Sequence, residues 1–327
     1  MCFSLVIVDL ILQRNTTLRS AYTDGTKKNL ATQWDSYIEF CDVYQNSKLQ
    51  ADVESLTLFI QHISNRLTSP GAVLNYLSGV KTMHVINELD ISMFDDYLVK
   101  MMMRGIKVEK KHVVQKAAVM TPAILLQFWE VLDLTSAEDR TFWALFLLAF
   151  FLLARKSNLV PDSVAKFDAS KQLTRGDVVV KGDCLLVTLK WSKTNQTGRK
   201  EEFPLLRNDG NNLCPVKAYR EMLASYPADD TSPAFLLKRY GMLQTVTYRQ
   251  FQDKLKKCVS AIGLDAKEFT SHSFRRGGAT YAFQCGLSAN HIKRLGDWKS
   301  DAYLAYIDCP LADRLVAGKK IRDSLNK

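Results

Sequence analysis

Between Thr270 and Ile307 the chain reads T-S-H-S-F-R-R-G-G-A-T, a helical stretch, and then L-G-D-W-K-S-D-A-Y-L-A-Y-I. This one segment supplies His272, Arg275, Trp298 and two tyrosines, Tyr303 and Tyr306. On a helix, positions i and i+3 share a face. His272 and Arg275 can therefore offer a proton acceptor and a bidentate phosphate fork to one ligand. A phenol is a poor nucleophile at its free pKa of about 10 and needs cations and a base beside it. Upstream, Arg155 follows a strongly apolar stretch, which can hold a guanidinium rigidly enough to stabilise charge on phosphorus. Lys193, in W-S-K-T at the end of a hairpin strand, is placed to offer an ammonium to a leaving oxygen. Together these groups suffice to break and rejoin a phosphodiester without a metal.

Each residue also has a plainer reading. A cation after a helix is favoured by the helix dipole, as Arg155 would be. H-x-x-R occurs by chance, and loop lysines are usually solvated. Tyr303 and Tyr306, spaced i, i+3 with Leu304 and Ile307, suit a packed helix. The argument rests on the set and its order.

The elements that would position these groups are legible from periodicity. Trp34, Tyr37, Ile38 and Cys41 recur at i, i+3, i+4, i+7, one apolar helical stripe. Val53–Leu67 and Val73–Leu89 repeat the pattern, separated by Ser69-Pro70-Gly71. Residues 1–104 therefore read as a helical bundle, and the basic stretch within 105–120 as a linker. From 121 to 327 the pattern is mixed. Thr121-Pro122 opens a helix, with Thr121 as its cap. Ser136 caps the next helix, which runs through the apolar stretch to about Arg155-Lys156. Strands are expected at Asp177–Val180, Cys184–Lys193 and Lys200–Leu205. The remainder reads as helices, with a capping box at Thr247 and Gln250. The fold class is mainly α with a small antiparallel sheet (α+β).

Composition narrows the function. The 327 residues carry a formal net charge of +10. Residues 1–100 hold 8 Lys/Arg against 11 Asp/Glu, residues 101–200 hold 16 against 9, and the rest 20 against 14. The positive excess sits in the last two thirds, as expected for a polyanionic partner. Seven scattered cysteines without a C-x-x-C fit reduced thiols inside a cell. The histidines form no zinc-ligand spacing. The apolar start contains Asp9 and lacks the basic leader and cleavage site of a signal peptide. The longest apolar run, Phe142–Ala154, is 13 residues, too short for a bilayer span.

The segment H-S-F-R-R-G-G-A-T followed by G-D-W-K-S-D-A-Y-L-A-Y-I resembles the carboxy-terminal signature of the tyrosine recombinase/phage integrase family. Its form is similar to the recombinases of eukaryotic mobile elements. The resemblance spans about residues 25–310 and is specific only at the carboxy end. It implies a helical core-DNA-binding domain and a mixed α/β catalytic domain closing around duplex DNA. It also implies a 3′-phosphotyrosyl intermediate, no cofactor or metal, and a homo-tetramer on DNA. The expected place of work is inside the cell, or the nucleus if the source is eukaryotic. By position it assigns the first arginine to Arg155, the hairpin lysine to Lys193, the H-x-x-R pair to His272 and Arg275, and the nucleophile to Tyr306. The position held by His or Trp is read as Trp298 rather than Asp297, because a carboxylate repels phosphate. Asn158 stands where the family often has an acidic residue. A type IB topoisomerase-like enzyme and a non-cleaving DNA-binding protein are the alternative readings.

Overall fold

The computed structural model describes residues 2–44, 50–113, 115–191 and 200–307, and beyond these 315, 318, 319 and 322–326. The chain divides into two compact units, Met1–Gln115 and Lys116–Lys327.

The first unit is helical: α1 (Cys2–Ser20), α2 (Asp24–Tyr44), α3 (Val53–Arg66), α4 (Pro70–Ile86), a short 3₁₀ turn and α5 (Tyr97–Glu109). Caps set the starts. Asp52 accepts from the Ser55 amide at 2.7 Å while the Ser55 hydroxyl accepts from the Asp52 amide at 2.9 Å. Ser69 caps α4 with Pro70 in the first turn, so α4 begins three residues before the expected Val73 and ends at Ile86. Tyr37, Phe40 and Cys41 of α2 meet Phe59, Ile60 and Ile63 of α3, Val80 of α4 and Ile106 of α5 in one core. Trp34 and Ile38, on the predicted stripe, flank this face half-buried. Ile7, Leu10, Ile11 and Leu12 of α1 are exposed, and none of the described side chains of α1 belongs to this core. The stretch read as a linker from residue 105 is helical through Glu109, because Ile106 is drawn into the core.

The second unit is built around α7 (Ala137–Phe151), buried on nearly every face from Thr141 to Phe150. A helix apolar all round must be wrapped all round. Around it lie α6 (Pro122–Val131), α9 (Pro215–Ser225), α10 (Tyr248–Ala261) and α11 (Ser271–Gln284). Phe146 stacks on Phe274 of α11 with ring centroids 5.2 Å apart and meets Phe251 of α10 edge-on at 5.6 Å. The Thr247–Gln250 capping box forms as predicted. An antiparallel sheet runs β1 (Val178–Lys181), β2 (Cys184–Leu189), β3 (Glu201–Leu206), with Lys181 opposite Cys184 and Leu189 opposite Glu201. The expected strand to Lys193 stops at Leu189, and residues 192–199 lie outside the described region.

Two expectations are corrected. First, the region after β3 is not all helical. β4 (Leu236–Arg239) and β5 (Met242–Thr245) form a hairpin turned by Tyr240 and Gly241, both left-handed. Leu236 and Leu237 are buried side by side, and the Thr141 hydroxyl donates to the Leu236 carbonyl at 3.1 Å. The strand therefore lacks the alternation that would have marked it. Second, α7 ends at Phe151 rather than near Arg155. Leu153 adopts φ +48°, which no helix continues. Arg155 is then the extended residue at the start of α8 (Lys156–Leu159). The segment before α6 is tied to α11 by the Ala118 amide to Glu268 (2.8 Å) and the Met120 amide to Ser273 (3.1 Å). α12 (Ala289–Leu295) and a 3₁₀ turn (Asp301–Ala305) complete the unit. No helix among the described residues is long and apolar enough to cross a membrane.

In the first unit His84 is fully buried, its Nδ1–H donating to the Val80 carbonyl at 2.9 Å. Trp34, Tyr37 and Phe94 pack edge-on around the ring, and Nε2 has no partner among the described residues. Burial holds this imidazole below its ordinary pKa. Unfolding releases it to bind a proton, so its contribution to stability is present above about pH 6.5 and is lost as pH falls below that. Once the intrinsic pH dependence of amide exchange is divided out, the protection of the α4 amides in the full chain should therefore fall between about pH 7.5 and about pH 5.5, and His84→Leu should flatten that dependence.

Candidate active site

Thr270 sets the site's geometry by capping α11. Its amide donates to the Ser273 hydroxyl at 3.0 Å and its own hydroxyl accepts from the His272 amide at 3.2 Å. The helix thereby starts with His272 on the open side and Arg275 turned inward at 2% exposure. α11 presses onto the end of α7 at Gly278, where a Cβ would overlap the Phe150 carbonyl oxygen. That close approach brings the Arg275 guanidinium to the turn after α7.

There Arg275 Nη1 donates to the Leu153 carbonyl and Nη2 donates to the Gly296 carbonyl at 2.6 Å. The Trp298 ring lies 3.8 Å beneath the guanidinium carbon. The Tyr306 ring lies 5.4 Å from the same guanidinium carbon. Burial first, and the charge of Arg155 second, pull Arg275 below its ordinary pKa, while Tyr306 and Asp297 oppose the shift. It stays charged at neutral pH.

Arg155 arrives from the turn before α8. Its Nη1 donates to Asp297 Oδ2 at 3.2 Å and its Nη2 to the Asp297 carbonyl at 3.4 Å. His272 lies with its ring 6.5 Å from that of Tyr306. Its pKa is lowered, chiefly by the protein around it, then by Arg275, Lys156 and Arg155. Burial is the largest of these causes, and the three cations add to it. Tyr306 is half-buried at the end of the last 3₁₀ turn. Its carbonyl accepts from the Thr280 hydroxyl at 3.3 Å, which ties the segment to α11. The two tyrosines separate cleanly. Tyr303 is a packing residue, 6% exposed beside Leu153, Ala279 and Ile292, whereas Tyr306, half-buried at the edge of the same cluster, has its ring 5.4 Å from the Arg275 guanidinium.

Of the six residues singled out in the sequence, Arg155, His272, Arg275, Trp298 and Tyr306 converge. Lys193 lies outside the described residues, as do Leu311, Val316 and Ile321 of the tail. Trp298, 8% exposed, packs against Tyr306 with ring centroids 5.3 Å apart. It supports the arginine and the phenol from below. Asp297, set aside in the sequence as repelling phosphate, sits inside the site on Arg155. Its signal was its place nine residues before Tyr306. The Asn158 side-chain amide donates to the Trp191 carbonyl at 2.5 Å, and its backbone amide to the Arg155 carbonyl at 2.9 Å, so its side chain is turned to Trp191 and not to the Arg155 guanidinium. Lys156 was not singled out either. It lies 3.6 Å over the Tyr248 ring, pairs with Asp162 at 3.0 Å, and adds its charge to the field at His272. Among the described residues no group of His, Cys, Asp and Glu could hold a metal ion. Two guanidiniums, a neutral imidazole and a phenol on one hydrogen-bonded patch can grip a tetrahedral oxyanion and present an oxygen nucleophile to it.

No family model matches the chain. It is 24% identical over 302 residues to the integrase/recombinase xerD homolog of Selenomonas ruminantium, covering 89% of this chain and 83% of that protein. Among solved structures, the Tn1549 transposon integrase in complex with transposon right end DNA superposes with a TM-score of 0.63 at 12% identity, over 95% of this chain and 98% of that one. XerH recombinase bound to palindromic difH in a post-cleavage complex gives 0.61 at 15% identity, over 89% and 77%. A lambda integrase dimer on a COC' core site gives 0.55 at 14%, over 93% and 76%. The mainly helical fold with small antiparallel sheets is the fold of these enzymes.

The electrostatics are directly measurable. The His272 imidazole, followed by NMR, should titrate below the ordinary value of about 6.5, and Lys156→Gln should move it upward. A value above 6.5 in the wild type would contradict the cationic field described above.

Proposed function

We infer that the chain is a site-specific DNA recombinase of the tyrosine type, an integrase-like enzyme that cuts and rejoins duplex DNA through a 3′-phosphotyrosyl intermediate. The observation that carries this reading is the gathering of Arg275 and His272 around the Tyr306 ring, with Arg155 tied to the same turn through Asp297. The sequence likeness to the xerD homolog and the shared fold with three DNA-bound recombinases support it. The H-S-F-R-R-G-G-A-T form further supports kinship with recombinases of eukaryotic mobile elements.

In the proposed mechanism the scissile phosphate docks on the N–H groups of Arg155 and Arg275, which offset the charge that builds on its oxygens. The Tyr306 oxygen attacks phosphorus and its proton passes to His272. The bond to the 5′ oxygen breaks, and that oxygen takes a proton from Lys193. The DNA is left joined through its 3′ phosphate to Tyr306, with a free 5′-hydroxyl. The 5′-hydroxyl of a second strand then attacks the phosphotyrosine, the new phosphodiester forms, and the Tyr306 phenol is released with a proton returned. The covalent link conserves the bond energy, so no nucleotide is consumed. Trp298 keeps Arg275 and the phenol in register throughout.

The working assembly proposed is four copies on two duplexes. The tail beyond Tyr306 docks on a neighbouring copy or folds back on its own unit. DNA as substrate places the protein inside the cell, and in the nucleus if the source is eukaryotic. The basic excess after residue 100 supplies phosphate contacts, so duplex affinity should fall steeply as salt rises.

A nicked suicide duplex tests the reading. Wild type and Tyr303→Phe should become covalently trapped, and Tyr306→Phe should not. Arg275→Lys should cut adduct formation by at least about 100-fold, because an ammonium cannot reproduce the guanidinium fork. Exchange of strands between two duplexes identifies a recombinase; relaxation without exchange identifies a topoisomerase, and binding without an adduct a non-cleaving protein.

A further inference from the structure

The turn Gly296-Asp297-Trp298 touches both arginines at once. The Gly296 carbonyl accepts from Arg275 Nη2 at 2.6 Å. Asp297 accepts from Arg155 through its carboxylate at 3.2 Å and through its own carbonyl at 3.4 Å. Trp298 lies 3.8 Å under the Arg275 guanidinium. Three consecutive residues thus fix two cations that come from helices far apart in the chain. The backbone is shaped for this. Asp297 is left-handed at φ +50°, a conformation that Asp and Asn tolerate better than most residues. Gly296 admits no side chain, because a Cβ there would overlap the Trp298 indole.

We propose that Asp297 is a positioning residue for Arg155, the carboxylate of a Gly296-Asp297-Trp298 clasp that sets the spacing of the two phosphate-binding arginines. This rests on the recombinase reading. The buried guanidinium of Arg275 repels the half-buried one of Arg155, and without a counter-charge Arg155 would swing toward solvent. Asp297 offsets that repulsion at 15% side-chain exposure against 20% for Arg155. It engages two of the guanidinium's five N–H groups, which leaves the others, among the described residues, for phosphoryl oxygens. A carboxylate at this place does not expel phosphate, because its charge is taken up by Arg155 while Arg275 keeps the site cationic. Asn158, buried near the same turn, cannot do this work, since its amide is committed to Trp191.

The test is single-turnover cleavage of the suicide duplex by the full chain at saturating DNA. Asp297→Asn, which keeps the left-handed backbone, should slow adduct formation by ~10- to 100-fold, with DNA affinity unchanged or tighter. Asp297→Gly, which also accepts φ above zero, should behave alike. In an Arg155→Lys background the same Asp297→Asn change should alter the rate by less than about threefold, because the residue it positions is already gone. Losses that simply add in the double variant would overturn the proposal. So would wild-type rates in both single variants, or collapse of the melting transition in both, which would make the carboxylate a folding residue. Faster cleavage by Asp297→Asn would overturn it too, and would make Asp297 a placeholder that DNA displaces. If wild type itself forms no adduct, the recombinase reading falls and takes the proposal with it. If wild type is trapped and the variants match it, the proposal falls alone.

Discussion

An arginine that is 2% exposed is a charge taken out of water, and everything near it must answer for that. An isolated buried ion costs several kcal/mol after relaxation. Arg275 meets the cost with two carbonyls and two aromatic rings, those of Trp298 and Tyr306. Hydrogen bonds to charged groups contribute about 1.5–3 kcal/mol each, and a desolvated cation–π contact about 2. The partners are therefore of the right size to hold the charge, and holding it is also what aims it. A guanidinium fixed by main-chain oxygens has little left to reorganise when a phosphate arrives, which is the condition for strong electrostatic stabilisation of a transition state.

The fold follows from supplying those carbonyls. Leu153 offers one because α7 stops at Phe151 and the chain turns through a left-handed residue. Gly296 offers the other because α12 ends there and Asp297 turns left-handed after it. α11 can lie close enough to reach both because Gly278 has no side chain to hold it off Phe150. The aromatic layer of Phe146, Phe251 and Phe274 makes this arrangement stiff. A helix buried on all sides looks wasteful in a unit of this size. Its value is that both residues flanking its end, Leu153 and Arg155, are delivered without slack.

Charge is balanced locally as well. The site holds Arg155, Arg275 and, nearby, Lys156, with Asp297 as the carboxylate among them. Burial first, and the cations after it, depress His272, which leaves a neutral imidazole near the phenol. In the proposed mechanism the proton acceptor and the anion grip therefore share one cationic field, to which burial of the imidazole adds. The first unit shows the opposite use of a buried histidine. His84 is surrounded by aromatic edges and is kept neutral by desolvation, and it answers to folding rather than to chemistry.

Much of this was legible in consecutive residues. Periodicity located the helices of the first unit, the caps at Thr121 and Thr247 located two starts in the second, and the spacing from His272 to Arg275 put both on one helix. These are local properties, written in a few neighbouring side chains and a 3.6-residue period. The β4–β5 hairpin was missed because Leu236 and Leu237 are both buried against α7, which erases alternation. The contact between Asp297 and Arg155 was not legible for a deeper reason. Whether a carboxylate repels or braces depends on what stands opposite, and its partner Arg155 is 142 positions away in the chain. The choice between Tyr303 and Tyr306 was likewise a matter of which ring the packing of Ile292 and Ala279 absorbed. Residue types and register determined which groups were available for chemistry. Only the tertiary structure decided which of them face one another, because charge, desolvation and hydrogen bonding act through space and take no account of distance along the chain.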